Sequence, residues 1–202
     1  MDYYIIALLW IFWCFLHSAS ITPRVTILFK KLLSTKYFYF RISYNIFALV
    51  TFILISRYKP IVDEEILFSF SGNWHIVQIA LLIISVLFFV LGTKNYNMMQ
   101  FIGVTQLTQK NTAQGIGEAG SFNQSGILQY TRHPWYVAIF ILLWFGYIDL
   151  VYSKLIFNTV FSLYLIVGTI LEEQKLVAEF GDEYKSFQQR VPMFLSLKSF
   201  TK

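Results

Sequence analysis

Five apolar segments, each close to the length of a membrane-crossing helix, constrain this sequence more than any other feature. A helix needs about 20 apolar residues to cross the hydrocarbon core of a bilayer, and an open sheet could not satisfy its backbone there. Only 13% of the 202 residues are charged, against about 25% in a soluble domain. We therefore predict an all-α integral membrane bundle of about five transmembrane helices. The segments run from Tyr3 to Ile21, Phe38 to Ser56, Trp74 to Leu91, Tyr136 to Val151 and Leu155 to Leu171.

The distribution of basic residues predicts the orientation of the chain. Lys and Arg in short loops are retained on the cytoplasmic side, which accounts for the net charge of +5 without a nucleic-acid partner. The first loop contains five bases and no acidic residue, the third has three bases against Glu118, and the C-terminal tail has five bases among several acids. We therefore predict a multi-pass protein of the inner or plasma membrane, with its N-terminus outside and its C-terminus in the cytoplasm. The bases of the first loop are Arg24, Lys30, Lys31, Lys36 and Arg41.

One domain is the simplest organisation for residues 1–202. Residues 1–93 contain the first three spans. Residues 94–202 contain a polar loop, a helical hairpin made of the last two spans, and a C-terminal amphipathic helix. Because the hairpin turns tightly around Ser153, we expect the start of the fourth span and the end of the fifth on the same side of the membrane.

The C-terminal tail contains an apolar stripe with helical spacing. The stripe recurs every three or four residues, and the opposite face is charged. We expect a helix that lies on the cytoplasmic membrane surface or packs over the third loop. Val191-Pro192 should end it, because proline cannot continue a helix. The stripe consists of Leu176, Phe180, Tyr184, Phe187 and Val191.

Two short polar clusters lie at adjoining ends of the hairpin. Arg132-His133-Pro134-Trp135-Tyr136 precedes the fourth span, and Glu172-Glu173 closes the fifth. Taken separately, the first cluster is typical of interfacial anchors with an aromatic belt, and the second is typical of two solvated acids just outside the membrane. The hairpin, however, brings them to the same membrane face, where charge beside hydrocarbon is costly. An acidic pair that meets a basic pair there is a candidate functional site.

These clusters belong to a longer ordered pattern. They are followed by Phe180-Gly181-Asp182-Glu183-Tyr184 and by Val191-Pro192. The pattern resembles the isoprenylcysteine carboxyl methyltransferase superfamily of integral membrane enzymes. The resemblance implies S-adenosyl-L-methionine as cofactor, with contacts from the clusters and from the upstream stretch Ser125-Gly126-Ile127-Leu128. The contacts that it implies are Ser125, Gly126, Leu128, His133, Pro134, Trp135, Tyr136 and Glu172.

Shorter matches resemble one branch of that superfamily, the methanethiol S-methyltransferases, and a related denitrification-associated membrane protein family. The isoprenylcysteine enzymes carry an arginine one helical turn before the glutamate pair, for the carboxylate of the substrate. This sequence has Gly168 there, which favours an acceptor without a carboxylate. The shorter matches are Leu16-His17-Ser18-Ala19-Ser20 with Arg24, Arg41-x-x-Tyr44-Asn45, Gly103-Val104-Thr105-Gln106-Leu107 and Val191-Pro192-Met193.

The charged residues predict how methyl transfer would be assisted. The ammonium group of the cofactor needs an anionic partner, Glu172 or Glu173, and its carboxylate needs a cationic one, Arg132 or His133. A thiol acceptor must lose its proton, because the thiolate is the nucleophile. We therefore predict that His17, His133 and Arg132 are the catalytic residues, with either histidine as the base. No metal site is predicted, because the sequence has a single cysteine.

The sequence thus predicts an S-adenosyl-L-methionine-dependent membrane methyltransferase with its active site on the cytoplasmic side. Its partners would be membrane lipids and a small lipophilic acceptor, with a thiol favoured over an isoprenylcysteine carboxylate or a lipid headgroup. Two further classes of protein compete with this prediction. One is a transporter or channel subunit, and the other is a non-catalytic membrane scaffold or heme or redox assembly factor. In a heme protein His17, His75 and His133 would be the axial ligands.

Overall fold

The computed structural model describes residues 2–58, 64–110 and 124–195. Within these ranges the chain is almost entirely helical, with two short strands. In chain order the elements are α1 (Asp2–Ser20), α2 (Pro23–Leu33), a 3-10 helix (Ser34–Tyr39), α3 (Phe40–Ser56), β1 (Ile66–Ser69), α4 (Asn73–Thr93), α5 (Met98–Ile102), α6 (Val104–Gln109), a second 3-10 helix (Gly126–Gln129), α7 (Pro134–Phe145), β2 (Asp149–Val151), α8 (Tyr152–Phe180) and α9 (Asp182–Arg190).

Four helical segments are long and apolar enough to cross a membrane. Most of their large apolar side chains point outward, as lipid-facing residues must. One of these segments contains both α2 and α3, which are separate helices because Ser34 takes a left-handed φ of 46° between them. The prediction of an all-α integral membrane bundle is therefore confirmed. The four segments are Tyr3–Ser20, Pro23–Ser56, Asn73–Thr93 and Tyr152–Phe180.

The helix at the fourth predicted span is shorter than the hydropathy indicated. α7 has 12 residues, or about 18 Å, against a hydrocarbon core of about 30 Å. It ends at Phe145, where the buried side-chain amide of Gln78 donates to the carbonyl oxygens of Phe145 and Tyr147. Those bonds satisfy carbonyls that a continuing helix would have used. The residues Asp149–Val151 that follow form β2, which pairs antiparallel with β1.

The helix at the fifth predicted span is longer than predicted at both ends. α8 has 29 residues, or about 44 Å, and exceeds the thickness of the hydrocarbon core. We expected it to start at Leu155 and end at Leu171. Because it continues to Phe180, the acidic pair that should lie at its end lies two turns inside a rigid helix.

The predicted amphipathic tail helix is divided into two parts. α8 supplies the first part, Gly181 turns the chain with a φ of 57°, and α9 supplies the second. The predicted stripe still shares one surface, because its residues pack around Leu128 of the preceding loop. α9 ends directly before Val191-Pro192, as predicted. The stripe therefore packs over the third loop, which was one of the two expected locations.

The chain divides into two compact units. The first comprises Met1–Glu64 and Tyr96–Ala119, and the second comprises Glu65–Asn95 and Gly120–Lys202. Within the second unit α4 packs along α7, and its buried Ser85 hydroxyl donates to the carbonyl oxygen of Ala138 at 2.8 Å. The third predicted span therefore packs with the C-terminal half, whereas the sequence grouped it with the first two. A single domain over residues 1–202 stays a prediction.

The contact between α4 and α7 requires a glycine at position 92. A Cβ atom there would lie 2.6 Å from Cδ1 of Trp135 and 2.7 Å from its Nε1. The indole stacks on Phe89 at 5.7 Å between ring centroids, and its Nε1 donates to the carbonyl oxygen of Phe89. The absence of a side chain at Gly92 thus lets Trp135 lie flat against α4.

Gly92→Ala should destabilise the protein, because the added methyl group would displace Trp135 from α4. Forcing an extra carbon into a packed interface costs about 1–3 kcal/mol. The matched control is Gly168→Ala in α8, where an added Cβ meets no atom within 4 Å. Alanine is the better helix former by up to about 1 kcal/mol, so the control should be neutral or stabilising. Thermal unfolding of both variants in one detergent checks this. Equal effects would contradict the packing role of Gly92.

Candidate functional site

A buried ion pair between Arg132 and Glu173 organises the second unit. Nε of Arg132 donates to Oε1 of Glu173 at 2.6 Å, and Nη2 donates to Oε2 at 2.9 Å. The two side chains are 8% and 7% exposed. Nη1 donates to the carbonyl oxygens of Gln188 and Val191, at the end of α9. All three guanidinium nitrogens are therefore engaged, and one side chain links the loop before α7 to α8 and α9.

Glu173 accepts further hydrogen bonds from three other side chains. His133 Nε2 lies 3.0 Å from Oε1, Gln188 Nε2 donates to Oε2 at 2.9 Å, and the hydroxyl of Tyr184 donates to Oε1 at 3.4 Å. Burial, together with the charge of Glu173, raises the pKa of Tyr184, so its hydroxyl stays protonated as a donor. A carboxylate next to the hydrocarbon core is tolerated only with such full compensation.

His133 is held in one orientation by its backbone and by Glu173. It is the N-cap residue of α7, and Pro134 starts the helix where a missing N–H costs nothing. Its backbone N–H donates to the hydroxyl of the fully buried Thr131. Because Nε2 faces the carboxylate of Glu173, the hydrogen-bond network assigns the proton to Nε2. Nδ1 then lies on the other side of the ring, 3.9 Å from Oε2 of Glu172.

Glu172 has a different environment from its neighbour. The hydroxyl of Tyr136 donates to its Oε2 at 2.7 Å, and its side chain is 39% exposed. Tyr136 also stacks on His133, with ring centroids 5.4 Å apart. Successive residues of an α-helix point about 100° apart, so Glu173 faces Arg132 while Glu172 faces Tyr136. One carboxylate is neutralised inside the protein, and the other is positioned at the surface of the site.

The other predicted contacts near α7 have different surroundings. Pro134 is fully buried, and Trp135 packs against α4 as described above. Gly168 lies one helical turn before Glu172, and the space beside it is open. The structure therefore shows free volume, and no cationic side chain, at the position where the isoprenylcysteine enzymes would carry arginine.

The upstream stretch approaches the site through a short 3-10 helix. Ser125 is its N-cap residue, and Gly126 starts it with a φ of 62° and open space where a Cβ would lie. Leu128 is buried against Tyr184 and Phe187. The stretch is thus anchored by Leu128, while the backbone of Gly126 stays accessible. Residues 111–123 of the predicted polar loop lie outside the described residues.

His17 belongs to the first unit and lies in the last turn of α1. The hydroxyl of Tyr44 is 2.9 Å from its Nδ1 and 3.0 Å from its Nε2. Its ring stacks on Trp13, with centroids 4.8 Å apart and an interplanar angle of 12°. The imidazole is therefore fixed between two aromatic residues. Its role as a base stays a prediction.

The other N-terminal motifs also come together in the first unit. Asn45 Nδ2 donates to the carbonyl oxygens of Phe101 and Ile102, at the end of α5. A Cβ at Gly103 would lie 2.9 Å from the backbone nitrogen of Ile42, and Gly103 itself has a φ of 97°. The asparagine and the glycine thus join α3 to the turn between α5 and α6, which is a structural role.

Three residues of the Glu173 network were not predicted as parts of the site. One is Tyr184, which the sequence placed in the apolar stripe but not among the site residues, and whose hydroxyl donates to Glu173. Gln188 and Thr131 complete the hydrogen bonding of Glu173 and of the His133 backbone. A signal for Gln188 was present, because it follows Tyr184 by four residues and so shares its helix face. Thr131 carried no signal, because a hydroxyl that caps a backbone N–H two residues later is common in any turn.

Parts of the chain are similar to proteins named methanethiol S-methyltransferase. The relative from Crocosphaera subtropica is 38% identical over 74 residues, which are 37% of this chain and 29% of the relative. The relative from a Pseudomonas species is 31% identical over 113 residues, 56% of this chain and 43% of the relative. The relative from Pseudomonas deceptionensis is 33% identical over 76 residues, 38% of this chain and 29% of the relative.

The chain thus spans less than half of the length of these curated relatives. No family model matches the chain. No solved structure matches it either. The similarity therefore covers only part of this chain and of each relative, and the arrangement of the site rests on the geometry of the described residues.

Arg132→Gln and Glu173→Gln should each strongly destabilise the protein, because each leaves the other charge buried without its partner. Breaking a buried ion pair in this way costs about 3–5 kcal/mol. The double variant should cost less than the sum of the two, because neither charge then remains. The control is Lys185→Gln, which removes the exposed pair with Asp182 and should leave thermal unfolding unchanged. Additive losses in the double variant would contradict the direct pairing of Arg132 with Glu173.

Proposed function

We propose that this protein is a membrane methyltransferase that uses S-adenosyl-L-methionine to methylate a small lipophilic thiol. The observation that carries the proposal is the carboxylate of Glu172, which Tyr136 orients and which the buried network leaves exposed. Relatives named methanethiol S-methyltransferase, at 31% to 38% identity over parts of the chain, support the reaction type and the thiol. The positive-inside rule supports a site on the cytoplasmic face of the inner or plasma membrane.

The described residues have the chemistry that this cofactor requires. Its ammonium and sulfonium groups are cationic, and Glu172 offers a carboxylate with one oxygen that accepts no hydrogen bond from the described residues. The ring of Tyr136 offers an aromatic face to a cation. The backbone of Gly126 is open to close approach. When bound, the cofactor supplies the electrophilic methyl group.

Arg132 and Glu173 are better suited to positioning than to direct contact. Every nitrogen of Arg132 already donates within the protein, and both oxygens of Glu173 accept from several donors. Their contribution is to fix His133 and the start of α7. The anionic partner of the cofactor is then Glu172, and Glu173 becomes the less favoured of the two glutamates.

His133 is the base that the geometry favours for a thiol acceptor. With its Nε2 proton bonded to Glu173, the neutral ring has its lone pair on Nδ1. Nδ1 can accept the proton that the thiol must lose, because the thiolate is the attacking species. Glu173 stabilises the imidazolium that forms. The open space at Gly168, which has no cationic side chain, favours a thiol over an acceptor with a carboxylate.

Glu172→Gln should weaken binding of S-adenosylhomocysteine by about 10- to 100-fold. A hydrogen bond to a charged group contributes about 1.5–3 kcal/mol, and the variant keeps the shape of the side chain while removing its charge. Calorimetric titration of the detergent-purified protein measures this. The control is Glu179→Gln, an exposed glutamate two turns further along α8, which should bind like the wild type.

The two variants separate a weakened cofactor site from a general effect of lost charge. Saturable binding that only Glu172→Gln weakens supports the proposed site. No binding by a folded, monodisperse wild-type sample contradicts the methyltransferase proposal.

His133→Gln should lower the rate of methanethiol methylation by about 100-fold or more, the usual contribution of general base catalysis. The amide of glutamine can still donate to Glu173, so thermal stability should stay close to that of the wild type. Because an ionised thiol needs no base, the rate deficit should shrink as the pH rises. His17→Gln, assayed in parallel, should retain activity. A pH-independent deficit in His133→Gln, or a loss confined to His17→Gln, would contradict the assignment.

A further inference from the structure

The short helix α2 has one apolar face and one basic face. At 100° per residue, Val25, Leu28, Phe29 and Leu32 project to one side. Arg24, Lys30 and Lys31 project to the other side, where Ile27 is the one large apolar side chain among them. No residue of α2 is buried, and Leu32 is 69% exposed. The apolar face of such a helix is not stable in water, because a contiguous exposed apolar surface requires an apolar partner.

The position of α2 in the chain places it at a membrane face. It lies between α1, which has the length and hydropathy of a span, and the 17-residue α3, with which it shares the apolar segment Pro23–Ser56. With 11 residues, or about 16 Å, it is too short to cross a hydrocarbon core of about 30 Å. It therefore lies where α1 leaves the bilayer and α3 returns. The 3-10 helix after it contributes the exposed Tyr39, a residue type common at the membrane interface.

The basic side chains of α2 lie in a stretch of the sequence that has no acidic residues. From Tyr3 to Val62 the sequence contains no aspartate or glutamate. Within the described part of the chain, no carboxylate lies at ion-pair distance from Arg24, Lys30 or Lys31. Lys36, in the following 3-10 helix, adds a fourth base. A concentration of positive charge beside an apolar face matches the surface of an anionic bilayer.

We propose that α2 is a binding surface for anionic phospholipids, which lies in the membrane interface with its apolar face among the acyl chains. Its three bases then contact the phosphate groups of the lipids. Basic residues next to a membrane surface attract anionic headgroups within a Debye length. The inference is independent of the proposed methyltransferase function, because it rests only on residues of the first unit.

The full-length protein, purified in a neutral detergent, is titrated with phosphatidylglycerol, and thermal unfolding is the readout. Phosphatidylcholine serves as the neutral lipid. The variant R24Q/K30Q/K31Q should need roughly 100-fold more phosphatidylglycerol for the same stabilisation, because each base contributes about 1 kcal/mol and 1.4 kcal/mol is tenfold. The control R57Q/K94Q/K175Q removes the same charge from exposed residues outside α2 and should behave like the wild type.

Three outcomes would overturn the proposal. They are equal stabilisation by phosphatidylcholine, equal losses in the two triple variants, and an equal stabilisation by inorganic phosphate without lipid.

A second measurement keeps all the basic residues of α2 and therefore does not depend on the folding of the triple variant. In nanodiscs that contain phosphatidylglycerol, a fluorescent label on Leu32→Cys should be quenched by lipids with brominated acyl chains, because Cys14 is buried and unlabelled. An unquenched label would place α2 away from the bilayer and would also refute the proposal.

Discussion

The buried ion pair between Arg132 and Glu173 is the interaction on which the second unit depends. Two charges beside hydrocarbon are stable only when each satisfies the other and every remaining donor and acceptor finds a partner. Arg132 meets this requirement by bonding to α8 on one side and to the last carbonyls of α9 on the other. The same network fixes the ring of His133. Stability and the orientation of the candidate base therefore have one physical origin.

The adjacent carboxylates of Glu172 and Glu173 show how a helix can give two identical side chains different chemistry. Because consecutive residues point about 100° apart, one carboxylate enters the buried network and the other meets only Tyr136 and the surface. α8 continues for two turns beyond the pair, so both carboxylates are held on a rigid element. The sequence placed the pair at the C-terminal end of the fifth span, and a fraying helix end would allow either glutamate to replace the other.

The membrane architecture was largely predictable, since hydropathy reports directly on burial in lipid. It located α1, α3, α4, α7 and α8, yet it overestimated the length of α7 and did not predict α2. Leu150 and Val151 continue the apolar pattern beyond α7, but Gln78 caps α7 and β1 pairs with the following segment. Both effects come from residues at least 67 positions away, and a local pattern cannot contain them. The tail stripe was predicted because its spacing survives the turn at Gly181.

The sequence by itself determined that this chain is a helical membrane protein and that the hairpin brings Arg132, His133 and Tyr136 near the acidic pair. Periodicity and hydropathy carry that information, because they depend on which side chains lipid tolerates. Only the tertiary structure decided which glutamate Arg132 engages, that Trp135 packs against Gly92, and that Gln188 completes the network. Those choices depend on differences of a few tenths of an ångström in the distances between elements that are far apart in sequence. Hydrogen bonding and close packing set such distances, and residue type alone does not.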